Sequence, residues 1–245
     1  MGRQTERMPC ALISSRAALN MLAVGLSLWL TAAGVLAQDA EPKAAPQAPF
    51  KYVPGKAYHI LPETHSDESG YKSIVEGLDG KIYVGTAKYN INSFLVQFDP
   101  KTEIQKIVID TNKVTGTEGR GYAAQSKIHT RNFVGASGKV YVGSMQGHGF
   151  KGDTTTYPGG YVMIYDPKTD KAESLGIAAP GKGIIDVVAD EARGLLYICT
   201  YDDKGAHTWV LYDMKTRQYR DLGQAVVAFA STHMDFKGRA HTLTR

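Results

Sequence analysis

The sequence predicts an all-β protein, and three observations carry this prediction. The 245 residues have the composition of a folded chain, with 43% hydrophobic and 21% charged residues. This excludes a disordered protein, a collagen-like repeat and a coiled coil. The 26 glycines and 14 tyrosines favour short strands joined by tight turns. Finally, no segment shows a convincing helical hydrophobic period, and one motif recurs at long intervals along the chain.

The first 37 residues have the pattern of a secretory signal peptide. Arginines precede an apolar run at residues 17–30, and a stretch of small residues follows it. This order predicts cleavage before Gln38 and a secreted or periplasmic protein, with translation starting at Met1 or Met8. The alternative is an uncleaved anchor, because residues 17–37 are just long enough to span a bilayer. The alanine- and glycine-rich final third favours cleavage, after which no membrane span is expected.

Composition also bounds the folded part and its partners. Residues 38–56 hold four prolines among alanines, which predicts an extended linker before a folded domain at 57–245. The formal net charge is +4, and half of it lies in the first 37 residues. The nearly neutral remainder therefore disfavours nucleic acid as a partner. Cys199 is the only cysteine after the signal peptide, and its apolar neighbours predict a buried, unreactive side chain.

An internal repeat determines the predicted architecture. Each copy begins with glycine, and the glycines recur 58, 56 and 44 residues apart: Gly80, Gly138, Gly194 and Gly238. In the first three copies a tyrosine-centred apolar run follows the glycine, and in the fourth the run is Arg-Ala-His-Thr. In the first three copies a second apolar run follows and ends in an aromatic residue, aspartate and then Lys-Thr after one further residue. These aspartates are Asp99, Asp166 and Asp213. The fourth copy stops at the end of the sequence.

Each copy is predicted to form four antiparallel strands. An apolar strand leads in, as at 184–188, and a tight turn with the repeat glycine follows because glycine supplies the positive φ. The tyrosine-centred strand comes second. The third strand ends where aspartate caps a turn, which in two copies continues with a proline that cannot extend the ladder. The fourth strand is polar and alternating, as at 218–222.

Four-stranded units of this length are typical of a β-propeller, in which each unit is one blade. The sequence predicts about three and a half blades, as part of a seven-bladed ring. Residues 57–61 are expected to form a further outer strand. The incomplete last blade indicates either a fragment or a half-propeller that closes by association of two chains. A β-sandwich with coincidental turns is the alternative fold.

These motifs resemble those of secreted bacterial seven-bladed propellers, namely the YVTN, Kelch-like and streptogramin (virginiamycin B) lyase-like superfamilies. The resemblance covers residues 57–245 and rests on the paired glycine–tyrosine and aspartate–lysine–threonine motifs. It implies the propeller architecture. Such propellers include lyases, lactonases and binding scaffolds, so the resemblance implies no single activity.

Long, irregular connections follow the second strand of each unit and link one unit to the next. In a propeller both classes of connection lie on one face around a central channel, where binding residues concentrate. We expect this face to bind a small molecule, a carbohydrate or a protein. The candidate binding residues are charged or histidine side chains: Arg120, Lys127, His148, Asp202 and His207.

The alternative hypothesis is an enzyme whose catalytic residues lie near the starts of the innermost strands, which are the first strands of the predicted units. His129 and His233 are expected to act as acid and base or to bind a divalent metal, with Arg131 or Asp186 assisting. Such a site suits a lyase or hydrolase acting on a polysaccharide or a lactone. No His-x-His, His-Glu-x-x-His or Gly-x-Ser-x-Gly pattern is present to favour it. The sequence therefore favours a binding scaffold and leaves the enzyme open.

Overall fold

The computed structural model describes residues 54–68, 72–148, 154–202, 207–225 and 232–242. The predicted signal peptide and all but the last residues of the predicted linker lie outside these ranges. Of the described residues, 44% are in strands and 8% in helices, which confirms the all-β prediction. None of the helices in these ranges is long and apolar enough to cross a membrane.

The first sheet is an antiparallel meander of four strands: β1 (Ile74–Glu76), β2 (Ile82–Gly85), β3 (Phe94–Asp99) and β4 (Ile104–Asp110). The second sheet has the same order, but its first strand, which we call the inner strand of each sheet, is in two parts, β5 and β6, that both pair with β7. Its elements are β5 (Lys127–Ile128), β6 (Phe133–Val134), β7 (Val140–Met145), β8 (Tyr161–Asp166) and β9 (Lys171–Ile177).

The third sheet is again a four-stranded meander: β10 (Gly183–Asp190), β11 (Leu195–Tyr201), β12 (Thr208–Asp213) and β13 (Gln218–Gln224). A hairpin follows it, formed by β14 (His233–Met234) and β15 (Ala240–His241). The prediction that each of the first three repeats folds as four antiparallel strands is therefore confirmed. All these strands belong to one compact unit, Lys56–Arg245.

The repeat glycines occupy the turns for which the sequence predicted them. Their φ angles are 73°, 91°, 70° and 71°, in the left-handed region that glycine enters without steric cost: Gly80, Gly138, Gly194 and Gly238. Each donates its backbone N–H to the carbonyl three residues earlier, which closes the turn between the first and second strands.

The turns between the third and fourth strands repeat just as regularly. Each aspartate Oδ1 accepts a hydrogen bond from the backbone N–H two residues later, at 2.8, 2.9 and 2.8 Å: Asp99, Asp166 and Asp213. The residue four positions after each aspartate has a positive φ of 60°, 54° and 57°: Glu103, Asp170 and Arg217. None of these is glycine, so the sequence did not reveal this feature.

A β-bulge occurs at the same place in all three sheets. The register between the third and fourth strands shifts after the second residue of each third strand: Leu95, Val162 and Trp209. Bulges increase the local twist of a strand pair. Their recurrence shows that the copies repeat in backbone geometry as well as in sequence.

Consecutive sheets pack face to face through two apolar clusters. One cluster, which includes Tyr83, Ile128 and Met163, joins the first and second sheets. The other, which includes Tyr141, Ile184 and Leu196, joins the second and third. A Cβ atom at Gly143 of β7 would lie 2.3 Å from the Cγ2 atom of Ile184, so this glycine allows β10 to approach. Cys199, at the equivalent position of β11, is fully buried as predicted.

One expectation about local structure was wrong. Residues 57–61 form no strand. They lie along β4, where Leu61 N–H donates to Gln105 Oε1 (3.2 Å) and Gln105 Nε2 donates to the His59 carbonyl (2.6 Å). These bonds use a side chain in place of the β-ladder, so the polar alternation of the segment did not produce a strand.

A short helix, α1 (Thr111–Thr115), begins the connection after β4, where the Asp110 side chain caps its N-terminus.

Candidate functional site

The inner strand of the second sheet is interrupted between β5 and β6. His129 N–H still donates to the Gly143 carbonyl (3.3 Å), but residues 130–132 leave the ladder, and side chains take over hydrogen bonds there. Thr130 Oγ1 accepts from Gly143 N–H (3.0 Å), and Asn132 Oδ1 accepts from the Ser73 hydroxyl of the first sheet (2.9 Å). The inner strand of the third sheet is irregular too, with a register shift between Ile184 and Asp186. These interruptions place polar side chains among three neighbouring inner strands.

An ion pair beside these interrupted strands joins the second sheet, the third sheet and the segment before β14. Arg131 Nη2 lies 3.2 Å from Asp186 Oδ2 and donates to the Thr232 carbonyl (2.5 Å). Thr232 N–H donates to the same Asp186 oxygen (3.0 Å). The Asp186 side chain is fully buried, which raises the pKa of its carboxyl group, and the charge of Arg131 opposes that rise. The Arg131 side chain is 33% exposed, so it is both anchored and accessible.

Further basic residues surround this pair. Lys72 precedes β1, and the charges of Asp186 and Arg131 act on it while burial lowers the pKa of its amino group. Lys127 is buried in β5. His129 is 1% exposed, and burial followed by the charge of Lys127 lowers the pKa of its imidazole to about 4. It is therefore neutral at pH 7. We call Lys72, Lys127, His129 and Arg131 the basic cluster.

Four half-buried rings form a row beside the basic cluster. They come from the long connections after β2, β7 and β11, or from their borders with the strands: Tyr89, His148, Tyr201 and His207. Successive ring centroids are 6.1, 6.2 and 5.2 Å apart, with the first two contacts edge-to-face and the last stacked. Lys127 Nζ lies 4.7 Å from the centroid of the Tyr89 ring, which connects this aromatic row to the basic cluster.

Most of the predicted site residues thus come together on one face. Lys127, His129, Arg131 and Asp186 meet at the inner strands, while His148 and His207 belong to the aromatic row. Asp202 directly follows Tyr201 and lines a separate cavity, described below. Arg120 is exposed beside the 3-10 turn Gly121–Ala123.

His233 lies in a different position from His129. It is exposed in β14, where it pairs with His241. It precedes the repeat glycine Gly238 by five positions, just as Phe133 precedes Gly138, so its counterpart in the second sheet is Phe133 and not His129. Within the described ranges, no three His, Cys, Asp or Glu side chains are grouped so that they could share a metal ion. Metal binding through His129 and His233 therefore stays a prediction.

Sequence reasoning missed Lys72, Tyr89 and Tyr201. Tyr89 lies in a connection that the sequence had marked as long and irregular, and Tyr201 ends β11 at the start of another. In a β-rich sequence a tyrosine is usually assigned to the core, and these two were passed over in favour of charged neighbours. An aromatic residue within a long connection was the available signal.

No family model matches the chain, and no curated protein matches it either. Solved structures share a weak likeness. One is an auxiliary nutrient binding protein from Bacteroides thetaiotaomicron VPI-5482, at 13% identity and a TM-score of 0.37 over 68% of this chain. Another is a puromycin hydrolase mutant, at 14% identity and a TM-score of 0.35 over 69% of this chain. The chain spans 35% and 24% of the lengths of these two proteins. Likenesses of this strength assign no activity.

Proposed function

We propose that this chain is part of a secreted or periplasmic β-propeller whose long-loop face binds an anionic carbohydrate. The three stacked meander sheets are its blades, and the β14–β15 hairpin is the inner half of the next one. The regular turns and bulges support this architecture, since a propeller repeats one blade around an axis. A complete ring of seven blades, with 57–245 as one part of it, is the arrangement that the sequence repeat favours.

The observation that carries the proposed function is the aromatic row next to the basic cluster. Tyrosine and histidine rings combine an apolar face with a polar edge, which suits a sugar ring that has both apolar C–H groups and hydroxyls. All four rings are half-buried, so they are held by the fold and keep surface for contact. The row crosses three consecutive sheets, which suits a ligand of several linked sugars.

Charge narrows the ligand class. Three basic side chains, Lys72, Lys127 and Arg131, surround the one carboxylate of Asp186, while burial keeps His129 neutral. A carboxylate or sulfate on the ligand is attracted by this excess, and an arginine held by a buried partner is well placed to bind a carboxylate through two N–H groups. An acidic sugar resting on the row therefore complements the site.

A second candidate function is catalysis on such a ligand, as a polysaccharide or lactone lyase or hydrolase. The observation behind it is that His129 is a neutral imidazole beside cations that would stabilise a developing negative charge. Its pKa of about 4 makes it a weak base at pH 7, which is why binding is the preferred proposal. A divalent metal held by His129 and His233 is a further version. A metal site of this kind predicts that the protein binds Zn²⁺ in calorimetry and that its affinity falls as the pH falls. The affinity of His129→Ala should be at least about tenfold weaker than that of wild type.

Calorimetric titration with uronic-acid oligosaccharides tests the binding proposal. The probes are tetragalacturonate and the same oligomer with its carboxylates reduced to neutral alcohols. We expect the acidic oligomer to bind, the neutral one to bind at least about tenfold more weakly, and Tyr201→Ala to weaken acidic binding by about tenfold or more. Phe236→Ala, which removes a 94% exposed ring away from the row, is the matched control. Absence of binding, or equal affinity of Tyr201→Ala and wild type, would overturn the proposal.

A further inference from the structure

A cavity lies near the aromatic row, among the connections before and within the second and third sheets. Its volume is about 280 Å³, and it is lined mainly by residues from four separate segments: Tyr122, Thr154, Thr155, Pro180, Lys182 and Asp202. Asp202 is the next residue after Tyr201 of the aromatic row. We call this cavity the side pocket. It is just below the size range of pockets for drug-sized ligands, so it suits a ligand of one ring.

The floor of the side pocket is rigidly built. Tyr157 is buried there, and its hydroxyl donates to Gln125 Oε1 (2.9 Å). Gln125 Nε2 in turn donates to the Gly159 carbonyl (3.0 Å), and the Ser144 hydroxyl donates to Gln125 Oε1 (2.7 Å). The Tyr122 ring meets the Tyr157 ring edge-to-face at 6.0 Å. A wall fixed in this way does not have to be ordered again when a ligand enters.

The lining of the side pocket is polar but balanced in charge. Lys182 supplies one ammonium group, whose position is fixed by its bond to the Thr208 hydroxyl (2.5 Å), and Asp202 supplies one carboxylate. Thr154 and Thr155 add hydroxyls, and Tyr122 and Pro180 add apolar surface. This balance contrasts with the excess positive charge of the basic cluster. It suits a neutral, hydroxyl-rich ring, which both donates to a carboxylate and accepts from an ammonium group.

We propose that the side pocket is a subsite for a neutral sugar residue of the carbohydrate that binds the aromatic row. This inference rests on the proposed function and narrows its ligand. The ligand class is a heteropolysaccharide in which acidic sugars are linked to neutral ones. The acidic unit lies at the row and the basic cluster, and a neighbouring neutral unit enters the pocket. The pocket then makes the protein selective for mixed over purely acidic chains.

Two probes of equal length test this subsite by calorimetry. One is tetragalacturonate, and the other is a rhamnogalacturonan tetrasaccharide, in which neutral rhamnose alternates with acidic galacturonate. We expect wild-type protein to prefer the mixed oligomer by about tenfold, because a neutral ring places only hydroxyls against Lys182 and Asp202, whereas a galacturonate would bring its carboxylate against that of Asp202. Lys182→Met and Thr154→Val each remove pocket hydrogen bonds and should reduce this preference to about twofold or less. Lys171→Met, on the exposed outer strand β9, is the control and should keep it.

The outcomes separate the two proposals. Equal affinity of wild-type protein for both oligomers overturns the subsite while leaving the proposed function intact. A full preference retained in both pocket variants overturns it as well. Lack of binding of either oligomer to wild-type protein overturns the proposed function and this inference with it. Circular dichroism spectra that match wild type establish that the variants fold.

Discussion

His129 makes the stability of the protein depend on pH in a calculable way. Its imidazole is 1% exposed, and burial together with the charge of Lys127 lowers its pKa to about 4 in the folded protein. In the unfolded chain the pKa returns to about 6.5. As the pH falls from 6.5 to 4, the unfolded chain binds a proton at this site that the folded protein does not. The free energy of unfolding therefore falls with pH across this window.

The size of this effect follows from the two pKa values. Each pH unit in the window costs about 1.4 kcal/mol, and the window spans about 2.5 units, so His129 alone removes about 3 kcal/mol of stability by pH 4. This is a large share of the stability of an ordinary domain. Above pH 6.5 the histidine contributes no pH dependence, because it is neutral in both states.

Urea unfolding at pH 7, 5.5 and 4 measures this contribution when wild type is compared with His129→Gln, which does not titrate. The difference in unfolding free energy between the two proteins should shift by about 3 kcal/mol in favour of the variant between pH 7 and pH 4. His233→Gln, which replaces an exposed histidine, should follow wild type. If the difference between wild type and His129→Gln changes by less than about 1 kcal/mol, the imidazole is not held neutral by burial and the reasoning fails.

Three further predictions concern export, sheet packing and the central ion pair. Secreted or periplasmic protein should begin at Gln38 on N-terminal sequencing, whereas material that still begins at Met1 or Met8 contradicts the signal peptide. Gly143→Ala should lower the free energy of unfolding by about 1–3 kcal/mol, because its Cβ would meet Ile184. Gly55→Ala, which meets nothing within 4 Å, should have almost no effect, and equal unfolding curves for the two variants refute the packing account. Arg131→Ala should cost about 2 kcal/mol in urea unfolding at pH 7 by leaving Asp186 buried without its cation, and Arg131→Ala with Asp186→Asn should recover part of that loss. No recovery in the double variant counts against the ion pair.

The fold features that the sequence predicted are those set by neighbouring residues. The repeat glycines need a positive φ and the turn aspartates cap their own turns, so both are readable from a few positions. The left-handed residue Glu103 and the bulge after Leu95 depend on how two strands pair, and no short pattern marks them. Residues 57–61 alternate like a strand, yet the Gln105 side chain takes the hydrogen bonds that a partner strand would have made.

The sequence predicted which residues belong to the site better than it predicted how they are arranged. Lys127, His129 and Arg131 are close in sequence, and their position near an innermost strand pointed to the central face. Asp186 lies 55 residues from Arg131, so their ion pair depends on the packing of two sheets. The aromatic row depends on three connections meeting, and the positions of Tyr89 and Tyr201 along the chain do not by themselves predict that meeting. The interruption of the inner strand after Ile128 is likewise a long-range effect, since its side chains bond Ser73 beside the first sheet and Gly143 of β7.

The most direct test of the proposed site is a crystal structure of the protein with bound tetragalacturonate. The account predicts a sugar ring over the aromatic row, in contact with His148 or Tyr201, and a ligand carboxylate within hydrogen-bonding distance of Arg131. An oligosaccharide bound on another face, with the row and the basic cluster left uncontacted, would contradict it.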